Sequence, residues 1–290
     1  MIVPFEPAEV SRRLLAWYGL EGRDLPWRKT RDPYRIWLSE VMLQQTTVAA
    51  VIPYYQRFLE RFPSVDTLAA ASQDDVITLW AGLGYYSRAR NLHRAARQVV
   101  SERGGAFPDD LDSLTALPGV GRSTAGAILS IAYDRPAAIL DGNVRRVLVR
   151  LFALREDPRS SRSEKQLWQW AEALTPETSP HDYAQAIMDL GATVCTPREP
   201  HCGNCPLQDI CQARSDGLTA VLPATRKKVK VPVRRQVALI LGHSGKVLLR
   251  QRPPEGFLGG LWEFPTVDLP PGCADEQVAH HFLADFCLHG

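Results

Sequence analysis

The chain has 290 residues, 45% of them hydrophobic and 23% charged. That is the composition of one large or two ordinary globular domains, and it excludes a disordered or collagen-like polymer. The net charge of +2 supplies no global field for nucleic acid, so any such binding needs local basic patches.

Uncharged stretches such as residues 123–133 are too short to span a bilayer. The segment from Met1 to Arg13 lacks the basic flank, apolar core and small-residue cleavage site of a secretory signal. An intracellular protein with no membrane partner is expected.

From residue 6 to about 212 apolar residues recur at helical spacing, beginning with Val10, Leu14, Trp17 and Tyr18. The breaks carry Pro, Gly, Ser or Asp, as at Asp32-Pro33, Phe62-Pro-Ser64 and Phe107-Pro-Asp109, so this portion reads as all-α. Pro53 is expected to kink or end the helix that begins near Tyr34. Within that helix Glu40 lies in the apolar run Ile36-Trp-Leu-Ser-Glu-Val-Met-Leu43, where desolvation favours a protonated carboxyl suited to general-acid work.

Next comes Leu117-Pro-Gly-Val-Gly121, followed by a helical run from Arg122. Glycines two apart permit a tight turn and close ligand approach, and the free N–H groups opening the second helix form an anion site. Leu117, Gly119, Val120 and Gly121 thus read as a phosphate-gripping helix-hairpin-helix or as an ordinary helical hairpin. Asp141 precedes the run from Gly142 to Leu151. As an N-cap it would be held ionised by backbone N–H groups and the helix dipole. Two carboxyls pushed in opposite directions divide acid and base roles, although a plain N-cap and a glutamate paired with a buried arginine also satisfy the pattern.

Cys195, Cys202, Cys205 and Cys211 fall within 17 residues, with gaps of six, two and five, while Cys273 and Cys287 lie far off. Only one short hook of the zinc type is present, so unequal gaps favour a [4Fe–4S] cluster over zinc, in a structural role. Arg198 and His201 make the loop between the first two cysteines basic. The run Arg226, Lys227, Lys228, Lys230, Arg234 and Arg235 reads as a solvated linker or as one that grazes DNA. A β-hairpin follows, from Gln236 to Arg250 about a turn at 242–245. It opens a second domain near the lower size limit for independent folding.

Together these features resemble the helix-hairpin-helix-GPD superfamily of DNA glycosylases, and within it the MutY-type adenine DNA glycosylases. The residues that carry the likeness are Arg23-Asp-Leu-Pro-Trp-Arg28, Trp37-Leu-Ser-Glu-Val-Met-Leu-Gln-Gln-Thr46, Gly82-Leu-Gly-Tyr-Tyr-Ser-Arg88, Asp141-Gly-Asn-Val144 and the four cysteines. The resemblance implies a mainly α, two-lobed catalytic domain over residues 1–212. A six-helix barrel would occupy roughly 30–140, and residues 1–29 with 141–212 an iron–sulfur lobe. A linker at 213–235 would lead to a partial α+β Nudix-like domain at 236–290. That domain, marked by Leu248-Leu-Arg-Gln-Arg-Pro-Pro254 and Gly259-Gly-Leu-Trp-Glu-Phe-Pro265, lacks the glutamate-rich box of Nudix hydrolases. The likeness ends at Gly290 before that domain would be complete, leaving selectivity for 8-oxoguanine over guanine open.

The implied reaction is hydrolysis of the N-glycosidic bond of adenine paired with 8-oxoguanine or guanine in duplex DNA. A monomer acting in the cytoplasm, with the nucleoid in a bacterium, is expected; no protein partner is indicated. Glu40, Asp141 and Asn143 would carry the chemistry. Arg23, Leu25, Trp27, Arg28, Val48 and Gln185 would line the adenine pocket, while Gln45 and Tyr85 would wedge into the duplex. Trp27 and Tyr85 as plain core aromatics are the competing reading. Ser123 stands where bifunctional, endonuclease III-like relatives carry a Schiff-base lysine, and Arg145 where other members have a lysine, so a monofunctional enzyme is implied. A bifunctional glycosylase-lyase and a non-catalytic iron–sulfur DNA-binding protein are the alternatives.

Overall fold

The computed structural model describes residues 5–224, 233–253, 256 and 258–269. The fold is mainly helical. Among the described residues the helices are α1 (Pro7–Glu21), α2 (Pro33–Leu43), α3 (Val48–Arg61), α4 (Val65–Ala70), α5 (Gln73–Trp80), α6 (Ser87–Arg103), α7 (Leu111–Thr115), α8 (Arg122–Tyr133), α9 (Gly142–Leu151), α10 (Ser161–Leu174), α11 (Pro180–Asp189) and α12 (Gln212–Ser215). Two compact units emerge, residues 1–84 with 88–226 and residues 227–290 with 85–87. No described helix is long and apolar enough to cross a membrane.

The helix starts follow local chemistry. Asp32 accepts the Tyr34 N–H with Pro33 at the first helical position, Ser64 forms a reciprocal cap with Thr67, and Asp110, Asp141 and Ser160 each accept from the residue three ahead. Each cap satisfies N–H groups that the helix itself leaves open.

The end of α2 departs from expectation: the helix stops at Leu43, and Pro53 lies inside α3 without ending it. Ala49, whose carbonyl loses its donor to Pro53, is exposed, so water can replace the missing bond. What stops α2 is long-range. The buried guanidinium of Arg88 donates through Nη1 to the carbonyls of Val41 (3.1 Å) and Met42 (2.8 Å), and through Nη2 to Thr46 Oγ1 and the carbonyls of Leu83 and Gly84. It thereby caps α2 and ties its exit turn to the Gly82–Gly84 loop.

In the first unit α2 packs on α3 and α8, while α1 packs on α10 and α11. Contact between α8 and α11 joins these groups. A core around Val10, Leu14, Ile131, Val147, Leu148 and Ile187 holds α1, α8, α9 and α11 together. Ala213 and Leu222 are buried in the same core, so the chain is still packed at residues where the sequence reads as linker. Four basic residues of the expected linker, Arg226, Lys227, Lys228 and Lys230, lie outside the described residues, as do Cys273 and Cys287.

Among its described residues the second unit shows three short antiparallel pairs. β1 (Gln236–Ala238) pairs with β6 (Thr266–Asp268), β2 (Gly242–His243) with β3 (Lys246–Val247), and β4 (Arg250–Gln251) with β5 (Trp262–Glu263). The expected hairpin is therefore confined to 242–247, turning at Ser244 and Gly245, both with positive φ. The upstream residues 236–238 are taken instead by β6, a partner too distant in sequence for the local pattern to reveal.

Gly126 of α8 lies under the segment that leads to Asp141: a Cβ there would stand 2.3 Å from the Ala138 carbonyl oxygen. Gly126→Ala is expected to lower unfolding free energy by about 1–3 kcal/mol through overpacking. Urea denaturation checks this, and an unchanged midpoint would contradict it.

Candidate active site

One cavity of about 640 Å³ opens in the first unit. Its wall gathers Arg23, Leu25, Trp27, Arg28, Glu40, Val48, Ser123, Asp141, Asn143 and Gln185. These come from the 23–28 segment, α2, the start of α3, α8, the cap of α9 and α11, so separate stretches of chain converge on one site. Its volume suits a small organic ligand such as a base.

Glu40 is brought to the cavity by α2, whose other residues Ile36, Trp37, Leu38, Val41 and Met42 are buried. Burial and the nearby Asp141 carboxyl push the Glu40 pKa up to about 7, against the opposing pull of Arg28. No hydrogen bond to the Glu40 carboxyl is found among the described residues. Asp141 caps α9, accepting from Val144 N at 2.7 Å and from Asn143 Nδ2 at 3.2 Å.

The expected opposite shifts do not occur. Burial raises Asp141 as well, outweighing those donors and the charge of Arg146. A local cap motif carries no information on how much protein covers it. The asymmetry lies in the partners instead: Asp141 has donors for its anion and Glu40 has none, so a single proton shared by the pair resides on Glu40.

The other predicted residues divide by environment. Trp27 is buried edge-on against Tyr55, with ring centroids 5.4 Å apart, and lines the cavity as well. Gln185 donates to the His181 carbonyl at 3.3 Å, while its Oε1 is buried without a donor. Ser123 accepts the Leu140 N–H at 2.9 Å. Arg145 donates to the Pro158 carbonyl and to Glu164. Gln45 and Tyr85 are not among the lining residues. Both are exposed, Tyr85 by 58%, and both hold positive φ, a costly state for residues other than glycine. In the turn between α7 and α8, Leu117 and Val120 are buried anchors, Gly119 has a φ of 79°, and Gly121 and Arg122 are exposed. Arg198 is exposed.

Three charged residues of the site escaped the sequence reading. Asp189 accepts from Arg23 Nε at 2.7 Å and from Arg28 Nη1 and Nη2 at 2.6 Å each. Arg146 donates to Asn143 Oδ1 (2.9 Å) and to the carbonyls of Gly191 and Cys195. Arg150 donates to the carbonyls of Leu222, Thr196 and Pro197 and lies 3.4 Å from Cys195 Sγ. The i, i+4 spacing of Arg146 and Arg150 on α9 was the one local signal that they share a face.

Cys195, Cys202, Cys205 and Cys211 line a second, small cavity together with Arg150, and none of them is in a disulfide. Among the described residues no three His, Cys, Asp or Glu side chains converge to hold a single ion. Thiols around a cavity, rather than around a point, match a cubane that takes one thiolate at each iron. Arg150 is only 1% exposed, and no carboxylate pairs with it among the described residues. A buried cation without an anion is costly, and a thiolate-bound cluster supplies the missing negative charge. Burial pushes the Cys205 thiol up to about 12 and raises Cys211, so these thiols are protonated until a metal displaces the proton.

Comparisons with known proteins match three segments of the chain. Residues 38–173 match the HhH-GPD superfamily of base excision DNA repair proteins, residues 195–211 the iron–sulfur binding domain of endonuclease III, and residues 236–286 a NUDIX domain. An adenine DNA glycosylase of Buchnera aphidicola subsp. Schizaphis graminum is 37% identical over 89% of this chain and 75% of its own length. The chain belongs to the adenine DNA glycosylase family.

The Rattus norvegicus member is 43% identical over 92% of the chain, which spans only 62% of that relative's length. Among solved structures, a thermostable thymine-DNA glycosylase superposes with a TM-score of 0.66 at 30% identity, over 72% of this chain and 97% of that one. An endonuclease III–DNA complex, at 23% identity and a TM-score of 0.62 over 75% of this chain and 99% of that one, shares the fold. The cofactor of this family member is a [4Fe–4S] cluster.

Protein prepared without air is expected to be brown and to contain about four iron and four sulfide per chain. Cys205→Ala is expected to abolish the visible absorption. Zinc as the sole metal of the wild type would contradict the assignment.

Proposed function

We propose that this chain is a monofunctional DNA glycosylase that hydrolyses the N-glycosidic bond of adenine paired with 8-oxoguanine or guanine. The observation that carries the reading is the presence, in one cavity, of Glu40 with its pKa near 7 and Asp141 held at a helix N-cap.

A base must leave the duplex stack to reach such a cavity, which costs a few kcal/mol, roughly, and least at a mispair. Leu25, Trp27 and Val48 give the extruded adenine apolar walls. Arg23, Arg28 and Gln185 give it polar contacts. The unpartnered Oε1 of Gln185 matches the exocyclic amine of adenine, a donor that guanine does not present at the same ring position.

Glu40, protonated, donates to adenine N7 and turns the base into a leaving group. Asp141, ionised, stabilises the oxocarbenium-like sugar or traps it covalently, as carboxylates do in glycoside hydrolysis. Glu40, now a base, then takes a proton from water held by Asn143, itself fixed between Asp141 and Arg146.

Gln45 and Tyr85 wedge into the duplex from exposed positive-φ positions. The backbone N–H groups of the 117–121 turn and Arg198 hold phosphates without reading sequence. Cys195, Cys202, Cys205 and Cys211 hold the cluster, which stiffens the loop bearing Arg198. The residues of 236–290 serve to recognise the oxidised guanine. The site of action is intracellular, with the chromosome.

Two observations favour a monofunctional over a bifunctional enzyme: Ser123 offers no amine, and Arg145 is engaged by Pro158 and Glu164. Single-turnover assays on a duplex with adenine opposite 8-oxoguanine test the acid role. Glu40→Gln should lower the rate by about 10²–10⁴-fold. The wild-type rate should fall as pH rises through about 7, where Glu40 loses its proton. A Glu40→Gln rate within a few-fold of wild type, or a flat alkaline limb, would overturn the role.

A further inference from the structure

Asp189 is a buried carboxylate for which the proposed chemistry has no direct use. It is the last residue of α11, just before the wider turn at Leu190–Val194, and is 0% exposed. That position opposes an anion, because the helix dipole places negative potential at a C-terminus. The carboxylate is nonetheless held ionised. Burial works to raise its pKa, but the hydrogen bonds and charges of Arg28 and Arg23 outweigh this and lower it.

Both oxygens accept from both arginines. Arg23 gives its backbone N–H (3.1 Å to Oδ2) and its Nε and Nη2 (2.7 and 2.5 Å to Oδ1). Arg28 gives Nη1 to Oδ2 and Nη2 to Oδ1, each at 2.6 Å, a two-pronged geometry that fixes the guanidinium plane. The remaining Arg28 bond goes to the Arg23 carbonyl at 3.1 Å. Neither arginine pairs with another carboxylate among the described residues.

Arg23, Arg28 and, from α9, Arg146 line the cavity that contains Glu40; Arg146 is engaged by Asn143 Oδ1 and the carbonyls of Gly191 and Cys195. The charges acting on Glu40 are Asp141 and Arg28. Helices α3 and α8, which also pack on α2, bring no ionisable group to that cavity wall: α3 contributes Val48 and Ala49, and α8 Ser123, Thr124, Ala127 and Ile131. Around Arg28 the facing groups are Asp189, Glu40 and Tyr18 of α1, with Arg23 beside them. Among these described cations Arg28 is the one whose charge acts on Glu40, and Asp189 is the carboxylate that engages it.

We propose that Asp189 is a positioning residue for the acid: by clamping Arg28 it withholds that cation from Glu40, so that the acid keeps the proton it must donate. This rests on the reading of Glu40 as the general acid. Without the Asp189 charge, the positive charge of Arg28 is no longer offset, and the ionised form of Glu40 is favoured. Removing Arg28 instead takes away a cation that favours that form. The two partners of a single ion pair thus act on Glu40 in opposite directions, which a staple that only holds α11 to the 23–28 segment would not produce.

The test is a ¹³C NMR titration of glutamate carboxyls in the full chain, with the Glu40 signal assigned by its loss in Glu40→Gln. The Glu40 midpoint should fall by about one pH unit in Asp189→Asn and rise in Arg28→Gln. The alkaline limb of the adenine-release profile should move with it. A midpoint unmoved, raised in Asp189→Asn, or displaced the same way in both variants overturns the proposal. Should Asp189→Asn fail to fold, as melting would reveal, Arg28→Gln decides alone, and an unchanged or lower midpoint overturns it. The expected shifts in the variants, with a wild type that releases no adenine, would sink the glycosylase reading and leave the charge clamp standing. Adenine release by wild type, with no such shifts in the variants, would do the reverse.

Discussion

Two half-buried carboxyls in one cavity repel each other, and that constraint governs the site. Neither Glu40 nor Asp141 is fully hydrated, burial raises both, and their mutual charge makes double ionisation near neutral pH unfavourable. One proton must therefore remain on the pair, and the surrounding protein decides where. Asp141 has a backbone N–H, an amide and a nearby guanidinium on its side. Glu40 sits on an apolar helix with no donor to its carboxyl among the described residues. The chemistry proposed for the site follows from that unequal provision.

Helix α9 joins this pair to the cysteine cluster. It starts at Asp141, presents Asn143 to the cavity, and then places Arg146 and Arg150 one turn apart on the loop that begins at Cys195. Arg146 bonds both Asn143 and the Cys195 carbonyl, so a displacement of the cysteine loop is felt at Asn143 within two side chains. Gly191 completes the contact, since a Cβ there would stand 2.6 Å from that of Asn143. The structural role expected of the cluster fits this arrangement, in which the cysteine loop is bonded to the helix that Asp141 caps.

Much of this was legible because the relevant signals are local. Caps at Asp32 and Ser64 announce helices through residues within one turn, and the cysteine gaps announce their chemistry in the same way. Glu40 was visible as a charge in an apolar run. What stayed hidden depends on partners far along the chain. Asp189 meets Arg23 across 166 residues, Arg88 stops α2 from 46 residues away, and Arg150 bonds Leu222 at a separation of 72. The same limit explains the wrong direction expected for Asp141, whose cap is local but whose burial is supplied by the whole fold. It also explains the short hairpin, whose upstream residues found a better partner in β6.

The measurement that tests the account most directly is product analysis after incubating the full chain with a duplex carrying one adenine opposite 8-oxoguanine. Chromatography would identify any free base, and gel electrophoresis would follow the adenine-containing strand with and without hot alkali. Free adenine and a strand that breaks only after alkali are expected. An intact adenine nucleotide would contradict the glycosylase reading, and breakage without alkali would contradict the monofunctional chemistry inferred from Ser123 and Arg145.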